Sequence, residues 1–230
     1  MTSPDLISVL IPAYNAAAYL GEAIESVFAQ THRLLEVVVV DDGSDDDTAA
    51  VAAGYGDRIR FASQRRGGGG SARNAAVALA RGSHLAFLDA DDRFLPHKLE
   101  RQLAALRLDP ELDMVFGHVR EFVSPELPAE ARAAIRTPVA AAPWTAPNVM
   151  LIRRESFERV GPFATDLRVG ETVDWYARAI DAGLKGLTLP EIVLERRLHA
   201  TNTGMRERDA GLDYIRVVRA SMARRRDAGE

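Results

Sequence analysis

The sequence predicts an α/β fold with a doubly wound, mostly parallel sheet and a smaller mixed part towards the C-terminus. Strand and helix patterns alternate four times within residues 1–110, an order typical of parallel strands joined by crossover helices. Residues 37–40 are four valines in a row. A continuous apolar run of this kind is typical of a strand buried on both faces, as in a parallel sheet. After Pro110 the alternation stops and shorter patterns follow, which predicts the mixed part.

The composition is that of an ordinary globular protein, and it excludes several classes of function. Of 230 residues, 47% are hydrophobic and 27% are charged, and the net charge of -4 argues against a nucleic-acid-binding domain. The absence of cysteine excludes disulfides, zinc–thiolate sites and a cysteine nucleophile. No apolar run approaches the roughly 20 residues that span a bilayer, and the polar N-terminus is unlike a signal peptide. We therefore expect no transmembrane segment and a cytoplasmic location.

The first half of the chain shows the patterns of four strands, each followed by a helix. The strands are predicted at residues 6–11, 37–40, 59–62 and 84–88. The predicted helices are residues 17–30, a helix that Ser44 and Asp47 open with the spacing of a capping box, a helix from the N-cap Ser71 to about Arg81, and a helix that begins at Pro96.

The second half shows shorter elements. Strands are predicted at residues 113–116, 119–123 and 192–198, and helices at residues 155–160 and 173–181. Residues 124–143 are rich in Pro and Ala and predict a mobile loop with one short helix. The glycine run, residues 67–70, predicts a second mobile loop, and an amphipathic helix is predicted from residue 209.

Polar residues follow all four strands of the first half, at the ends where ligands bind in an open parallel sheet. They are residues 12–15, Asp41 with Asp42, the glycine run leading to Arg73, and residues 89–92. Each stretch alone also fits a turn or a helix cap. However, the three carboxylates directly after the fourth strand repel one another, and a bound Mg²⁺ or Mn²⁺ ion would remove that cost. Together the four stretches predict one crevice with a divalent cation.

These stretches, in this order, resemble glycosyltransferases of family 2, which have the GT-A fold. The matching sequences are SVLIPAYN, VDDGS, ARN and FLDADD, at residues 8–15, 40–44, 72–74 and 87–92. The resemblance continues through LIRR, VGPF and RRLH, at residues 151–154, 160–163 and 196–199, and it extends to about Asn202. One such motif is weak evidence, whereas several in order at the right spacings are strong evidence.

The resemblance implies a nucleotide-sugar donor, with UDP as the expected nucleotide. It implies that Asp42 accepts a hydrogen bond from uracil and that Tyr14 stacks on the uracil ring. It also implies that Asp91 binds a Mn²⁺ or Mg²⁺ ion on the diphosphate, with Asp89 at the ribose or the metal. The nucleotide-binding residues implied in this way are Pro12, Ala13, Tyr14, Asn15, Asp42, Gly70, Arg73, Asp89 and Ala90, and the metal ligands are Asp91, Asp89 and His199.

The general base is the point at which this sequence departs from the family. Family members usually place an aspartate where this chain has Thr172, and a threonine hydroxyl is not a base near neutral pH. The candidate catalytic residues are then Glu171, one residue earlier, and Asp174, one helical turn later. We favour Glu171 because it precedes the predicted helix. In the alternative interpretation Glu171 caps the helix and Asp174 pairs with Arg178.

Three functional hypotheses follow. The first is an inverting, metal-dependent hexosyltransferase that moves a sugar from a UDP donor to a saccharide, peptide or small-molecule acceptor. The second is a GT-A-like protein that binds a nucleotide sugar with weak or lost catalysis, and the third is a sugar nucleotidyltransferase. Under the first hypothesis, residues 1–110 are the nucleotide-sugar-binding half and residues 111–205 the acceptor and catalytic half of one domain. Residues 206–230 are then a C-terminal amphipathic helix and tail.

Overall fold

The structure is a computed structural model that describes residues 5–199 except 134, 136, 137 and 168, and its centre is one sheet. The strands are β1 (Ile7–Ala13), β2 (Leu35–Asp41), β3 (Arg60–Ser63), β4 (His84–Phe87), β5 (Arg93–Phe94), β6 (Met114–Val123), β7 (Ala142–Pro143), β8 (Leu151–Arg153) and β9 (Gly186–Leu198). They lie in the order β3-β2-β1-β4-β8-β6-β9-β5, and β7 pairs with β6. The first four are parallel and β8 is antiparallel to both of its neighbours, so the predicted α/β fold with a mixed second part is confirmed.

The strand β1 runs further than the sequence predicted. It continues through Pro12 to Ala13, beyond the expected end at residue 11. The pairing of β1 with β4 ends at Leu10, so at Pro12 only β2 still accompanies the strand. Proline is tolerated in a strand where its missing N–H leaves no ladder bond unmade. The strand thereby carries Pro12 and Ala13 to the carboxyl end of the parallel half.

Seven α-helices accompany the strands in the described residues, and none of them is long and apolar enough to cross a bilayer. They are α1 (Leu20–Phe28), α2 (Thr48–Ala53), α3 (Gly69–Leu79), α4 (Lys98–Leu108), α5 (Ala129–Ala133), α6 (Arg154–Val160) and α7 (Glu171–Asp181). The helix predicted from residue 209 lies outside the described residues.

In three helices the residues that the sequence indicates as the start do not begin the helix, and α1 and α7 begin three residues later and two residues earlier than predicted. Glu171 therefore lies within α7, whereas the sequence predicted that it precedes the helix. Ser71 is not an N-cap, because α3 already begins at Gly69 after a residue with φ of +87°, a conformation that favours the glycine found there. The capping box of Ser44 and Asp47 does not form, because α2 begins at Thr48 and its first amide donates to the carboxylate of Asp46 (2.9 Å). The helix α4 begins two residues after the proline at position 96.

The mixed part differs most from the prediction. Residues 113–123, predicted as two strands, form the single strand β6, whose register with β9 shifts around His118. The strands β5, β7 and β8 were not predicted, because two or three residues show no periodicity. The strand β8 joins β4 to β6, so residues 1–110 and the described part of residues 111–205 share one sheet. The short helix expected within residues 124–143 is α5.

Four aromatic side chains, Phe87, Phe157, Phe163 and Trp175, form a buried aromatic cluster between β4, α6 and α7. The ring of Trp175 stacks on Phe157 at 5.2 Å between centroids and lies 5.6 Å from Phe163. Its indole N–H donates to the carbonyl of Gly161 (2.9 Å). Because Trp175 lies on α7, the aromatic cluster holds this helix, which begins at Glu171, against the sheet.

We predict that Trp175→Ala lowers the free energy of unfolding by about 3–5 kcal/mol, the usual cost of deleting a buried large aromatic side chain. Urea unfolding is the measurement. The control is Val173→Ala on the same helix, where the side chain is 47% exposed and the change should stay within about 0.5 kcal/mol. Equal losses in the two variants would contradict the anchoring role of the aromatic cluster.

Candidate active site

The loops that follow the parallel strands meet at the carboxyl end of the sheet. The amide of Asp42, after β2, donates to the carbonyl of Ala13, the last residue of β1 (2.8 Å). Arg73 on α3 donates to the carboxylate of Asp89, after β4 (2.9 Å). Polar residues that the sequence places after separate strands are therefore neighbours in space.

The carboxylate of Asp42 is 3% exposed and receives three hydrogen bonds. They come from the backbone amides of Gly67 and Gly68, both at 2.8 Å, and from Gln64 Nε2 at 2.7 Å. The other two glycines of the run form the first turn of α3. The glycine run is therefore a hydrogen-bonded entry to a helix, and its predicted mobility stays a prediction.

Tyr14 lies at the surface beside this carboxylate, and an arginine covers its ring. Tyr14 is 39% exposed, and the guanidinium carbon of Arg66 lies 3.0 Å from the ring centroid. Arg66 Nε is also 3.8 Å from Asp42 Oδ2. A base that stacks on this face of Tyr14 must displace Arg66. The sequence did not indicate a role for Arg66, which is one of two adjacent arginines before the glycine run.

The other residues at the end of β1 and in the loop after it contact the loop that follows β2. Asn15 has a positive φ of 49°. Its amide donates to Ser44 Oγ (2.9 Å), and its side-chain oxygen accepts from the amide of Asp45 (3.0 Å). Ala13 is buried, and Pro12 is half-buried. This stretch therefore fixes the backbone on both sides of Asp42.

Arg73 is the buried cation of the site. Its Nη1 donates to Glu171 Oε1 (2.8 Å) and its Nη2 to Asp89 Oδ1 (2.9 Å). Burial alone would lower the pKa of Arg73, but the two carboxylates outweigh burial and raise that pKa above its ordinary value. The guanidinium thus stays charged and links the acidic loop, residues 89–92, to the start of α7.

Gly70 is required by a close approach of two backbone segments. A Cβ atom at this position would lie 2.3 Å from the carbonyl oxygen of Ala164 and 3.5 Å from Glu171 Cγ. No real Cβ sits that close to a backbone oxygen, so any larger residue would push α3 away from the loop before α7. Close packing therefore accounts for this glycine in the structure.

Asp91 and His199, two of the three expected metal ligands, are in contact. Asp91 Oδ2 and His199 Nε2 lie 2.9 Å apart. Ligand bonds of about 2.1 Å at right angles separate neighbouring ligand atoms by ~3 Å, so the pair fits one edge of an octahedral cation site. Within the described residues no three His, Asp or Glu side chains have the spacing of a metal site. Water and substrate phosphates would supply the other ligands, as is usual for Mg²⁺.

The other two acids of the loop have protein partners. Asp89 Oδ2 accepts from Asn148 Nδ2 (3.2 Å), in addition to the bond from Arg73. Asp92 is 2% exposed and accepts from the amide of Arg197 (2.9 Å) and from Asn148 Nδ2 (3.1 Å). Burial, and next the negative charges of its two neighbouring aspartates, raise the pKa of Asp92 well above its ordinary value. Asp92 therefore favours its protonated form over a wider pH range than an exposed aspartate.

The two candidate bases differ in their contacts. Glu171 is the first residue of α7, is largely buried and is paired with Arg73. Asp174 pairs with Arg178 on the same helix (2.8 Å), as the alternative interpretation proposed. Arg178 also donates to two backbone carbonyls at the end of α6, so this pair joins two helices. Thr172 follows Glu171 and is half-buried.

Arg197 and Asn148 also belong to the site, and sequence reasoning gave neither a role. Arg197 Nε donates to the backbone carbonyl of Asp91 (3.0 Å), and Arg197 Nη1 donates to Ser124 Oγ (3.0 Å). The resemblance covers Arg197 only as part of the RRLH motif. Nothing in the sequence around Asn148 indicates its contact with the acidic loop.

We predict that Asp42→Ala destabilises the protein by about 1–3 kcal/mol, because the amides of Gly67 and Gly68 lose hydrogen bonds to a buried, charged acceptor. Hydrogen exchange at Gly67 and Gly68 should become faster in this variant, and urea unfolding gives the free energy. The control is Asp45→Ala, an exposed acid on the same loop that should change neither quantity. Unchanged exchange in Asp42→Ala would show that the carboxylate does not hold the glycine run.

Comparison with solved structures shows the fold. The structure of TarS residues 1–349 from S. aureus in complex with UDP-GlcNAc has a TM-score of 0.67 to this chain at 21% identity. The alignment covers 87% of this chain and 60% of that TarS 1–349 chain. Identity at this level shows a shared fold, and it confirms the GT-A fold that the sequence implied.

Comparison with curated proteins and a family profile shows the family. An uncharacterised glycosyltransferase of Nostoc sp. is 33% identical over 223 residues, which cover 86% of this chain and 66% of that protein. One from Rickettsia prowazekii is 34% identical over 110 residues, so that 48% of this chain matches 35% of its relative. This chain thus spans about a third of the length of the Rickettsia protein. The profile of glycosyl transferase family 2 matches residues 8–161, and the chain therefore belongs to that family.

Proposed function

We propose that this protein is an inverting, metal-dependent hexosyltransferase that takes a sugar from a UDP-linked donor. The observation that carries the proposal is the contact of Asp91 with His199, two metal-binding side chains beside the acidic loop. Family membership supports it, as does the UDP-GlcNAc bound to TarS, a protein of the same fold. The acceptor class is a saccharide, a peptide or a small molecule, and the cytoplasmic location stays a prediction.

The nucleotide is proposed to bind between the loops after β1 and β2 and the acidic loop. A carboxylate offers about four acceptor positions, and three on Asp42 are used, so one remains for the uracil N–H. Uracil would stack on Tyr14 once Arg66 has moved away. The remaining residues of the proposed nucleotide site are Pro12, Ala13, Asn15, Gly70, Arg73, Asp89 and Ala90.

Asp91 and His199 are the proposed ligands of a Mn²⁺ or Mg²⁺ ion, with Asp89 as a third. When bound, the cation supplies Lewis-acid stabilisation of the diphosphate leaving group. The protein orients the first of these ligands through Arg197, which holds the backbone of Asp91. Asp89 is the weaker candidate, because Arg73 already bonds one of its oxygens and Asn148 the other.

Glu171 is the proposed general base. Arg73 bridges Glu171 and Asp89, so the Glu171 carboxylate contacts the same guanidinium as Asp89 of the proposed nucleotide site. Its role would be to remove the acceptor proton as the acceptor attacks the anomeric carbon and UDP leaves. Asp174 is the second candidate, although its ion pair with Arg178 gives it a structural function.

A second candidate function is donor binding with weak or lost catalysis, and Thr172 favours it, because the usual base aspartate is absent there. A sugar nucleotidyltransferase would need a Gly-, Arg- and Lys-bearing loop after β1, where this chain has PAYN. Under the favoured proposal, residues 1–110 bind the donor, and residues 111–205 serve the acceptor and catalysis within one domain.

We predict Mn²⁺-dependent release of UDP, without pyrophosphate, from at least one of a panel of UDP-sugars. In calorimetry, Asp91→Ala should lose the metal-dependent part of UDP affinity and keep the affinity seen in EDTA. Asp45→Ala is the control acid on a neighbouring loop. Pyrophosphate would indicate the nucleotidyltransferase, and binding without turnover would indicate the second candidate. Unchanged Mn²⁺-dependent affinity in Asp91→Ala would contradict the metal assignment.

We predict that Glu171→Gln keeps UDP affinity, because the amide oxygen can still accept the hydrogen bond from Arg73. Transfer should fall by about 10²–10⁴-fold, the range of a general base. Asp174→Asn should lower transfer much less, and its effect should follow the amount of folded protein, because the Arg178 pair is structural. The opposite order would assign the base to Asp174. Thr172→Asp should raise turnover if this position faces the acceptor.

A further inference from the structure

Asn148 contacts two of the three acids of the acidic loop. It lies in the short 3₁₀ turn Pro147–Val149, directly before β8, and is 6% exposed. Its Nδ2 atom lies 3.2 Å from Asp89 Oδ2 and 3.1 Å from Asp92 Oδ2. An amide nitrogen carries two hydrogens, so one side chain can donate to both carboxylates at once.

The other end of this amide is unsatisfied. Asn148 Oδ1 is buried and has no hydrogen-bond partner in the described part of the chain. A buried polar atom without a partner destabilises a protein, so such atoms concentrate where function requires them. Turning the amide over would set its oxygen against Asp89 Oδ2, which is itself a hydrogen-bond acceptor. The contacts with the two acids therefore dictate its orientation.

Two buried polar side chains of α4 bind the turn that carries Asn148 and the residue that follows it. Gln102 Nε2 donates to the carbonyls of Val149 (2.7 Å) and Val115 (3.0 Å). Lys98 Nζ donates to Gln102 Oε1 (2.7 Å) and to the carbonyl of Met150 (3.3 Å). The backbone on the C-terminal side of Asn148 is thus held by side chains that reach no part of the acidic loop. The backbone that carries Asn148 is therefore fixed by contacts other than those with the acids.

We propose that Asn148 is a positioning residue that clamps Asp89 and Asp92 and thereby fixes the backbone of Asp91 between them. This proposal deepens the proposed function and rests on it where the cation is concerned. A neutral double donor suits the task, because it orients two carboxylates without neutralising the loop that is to attract a cation. An arginine or lysine at this position would compete with the cation for the same charge.

A double-mutant cycle tests the clamp without any ligand. The variants are Asn148→Ala, Asp89→Ala and the double variant, and urea unfolding gives their unfolding equilibrium constants. The effect of Asn148→Ala should be about threefold or more larger in the wild-type background than in Asp89→Ala. The matched control is the same cycle with Asp45, an exposed acid on another loop, for which no coupling is expected. Independent effects of Asn148 and Asp89 would overturn the proposal.

The positioning role is tested by Mn²⁺ affinity in the presence of UDP. Loss of an outer partner of a metal ligand typically weakens metal binding about 10–100-fold, and we expect Asn148→Ala and Asn148→Asp to fall in that range. UDP affinity in EDTA should stay unchanged. Gln30→Ala is the control for structural damage, because Gln30 is an equally buried amide that bridges Leu95 and Leu99 instead.

The outcomes separate the positioning role of Asn148 from the metal site of the proposed function. Unchanged Mn²⁺ affinity in Asn148→Ala, or tighter binding in Asn148→Asp, would show that charge alone matters and would overturn the positioning role. If the wild-type protein shows no Mn²⁺-dependent UDP binding, the metal part of the proposed function fails. The double-mutant cycle then decides alone whether Asn148 clamps the acids.

Discussion

The bridge that Arg73 makes between Asp89 and Glu171 is the interaction on which the rest of the candidate site depends. The side chain of Arg73 is 11% exposed, and its two Nη atoms lie 2.8 Å from Glu171 and 2.9 Å from Asp89. Removing one member of a buried ion pair typically costs about 3–5 kcal/mol, because the remaining charge stays desolvated. The bridge therefore fixes α3, the acidic loop and α7 against one another before any substrate binds. The packing of Gly70 against Ala164 brings α3 close enough for this contact.

Each of the three acids of the loop has a different partner, and the Arg73 bridge supplies one of them. Asp89 is held by Arg73, Asp91 by His199, and Asp92 by the backbone amide of Arg197. Three carboxylates within four residues would repel one another if all faced the same medium. Here each has a different partner and a different depth, and burial favours the protonated form of Asp92. The loop can thus present Asp91 to a cation without the full repulsion of three charges.

Local signals account for what the sequence could predict. The strands β1, β2 and β4 are runs of buried apolar residues, and the polar stretches after them mark the site because strand ends share one edge of the sheet. The missed features depend on distant residues. Arg73 and Glu171 are 98 residues apart, and Asn148 lies 59 residues from Asp89. Composition predicts a mobile glycine run because glycine has the most backbone freedom. It does not reveal that Asp42, 25 residues before Gly67, accepts hydrogen bonds from two amides of the run.

The start of α7 bears on the reaction, because it carries the acids that could take up the acceptor proton. Thr172 brings no carboxylate, so Glu171 is the nearest acid, and the same acid is the one that anchors Arg73. As the base, Glu171 would take up the acceptor proton, and Arg73 would then keep only Asp89 of its two charged partners. A thiol acceptor with a pKa of about 8.5 ionises readily by itself and would leave both ion pairs of Arg73 in place. An alcohol acceptor does not, and it would have to shift the Arg73 bridge towards Asp89 or the donor phosphates as it reacts. The nature of the acceptor is therefore coupled to the one ion pair that organises the site.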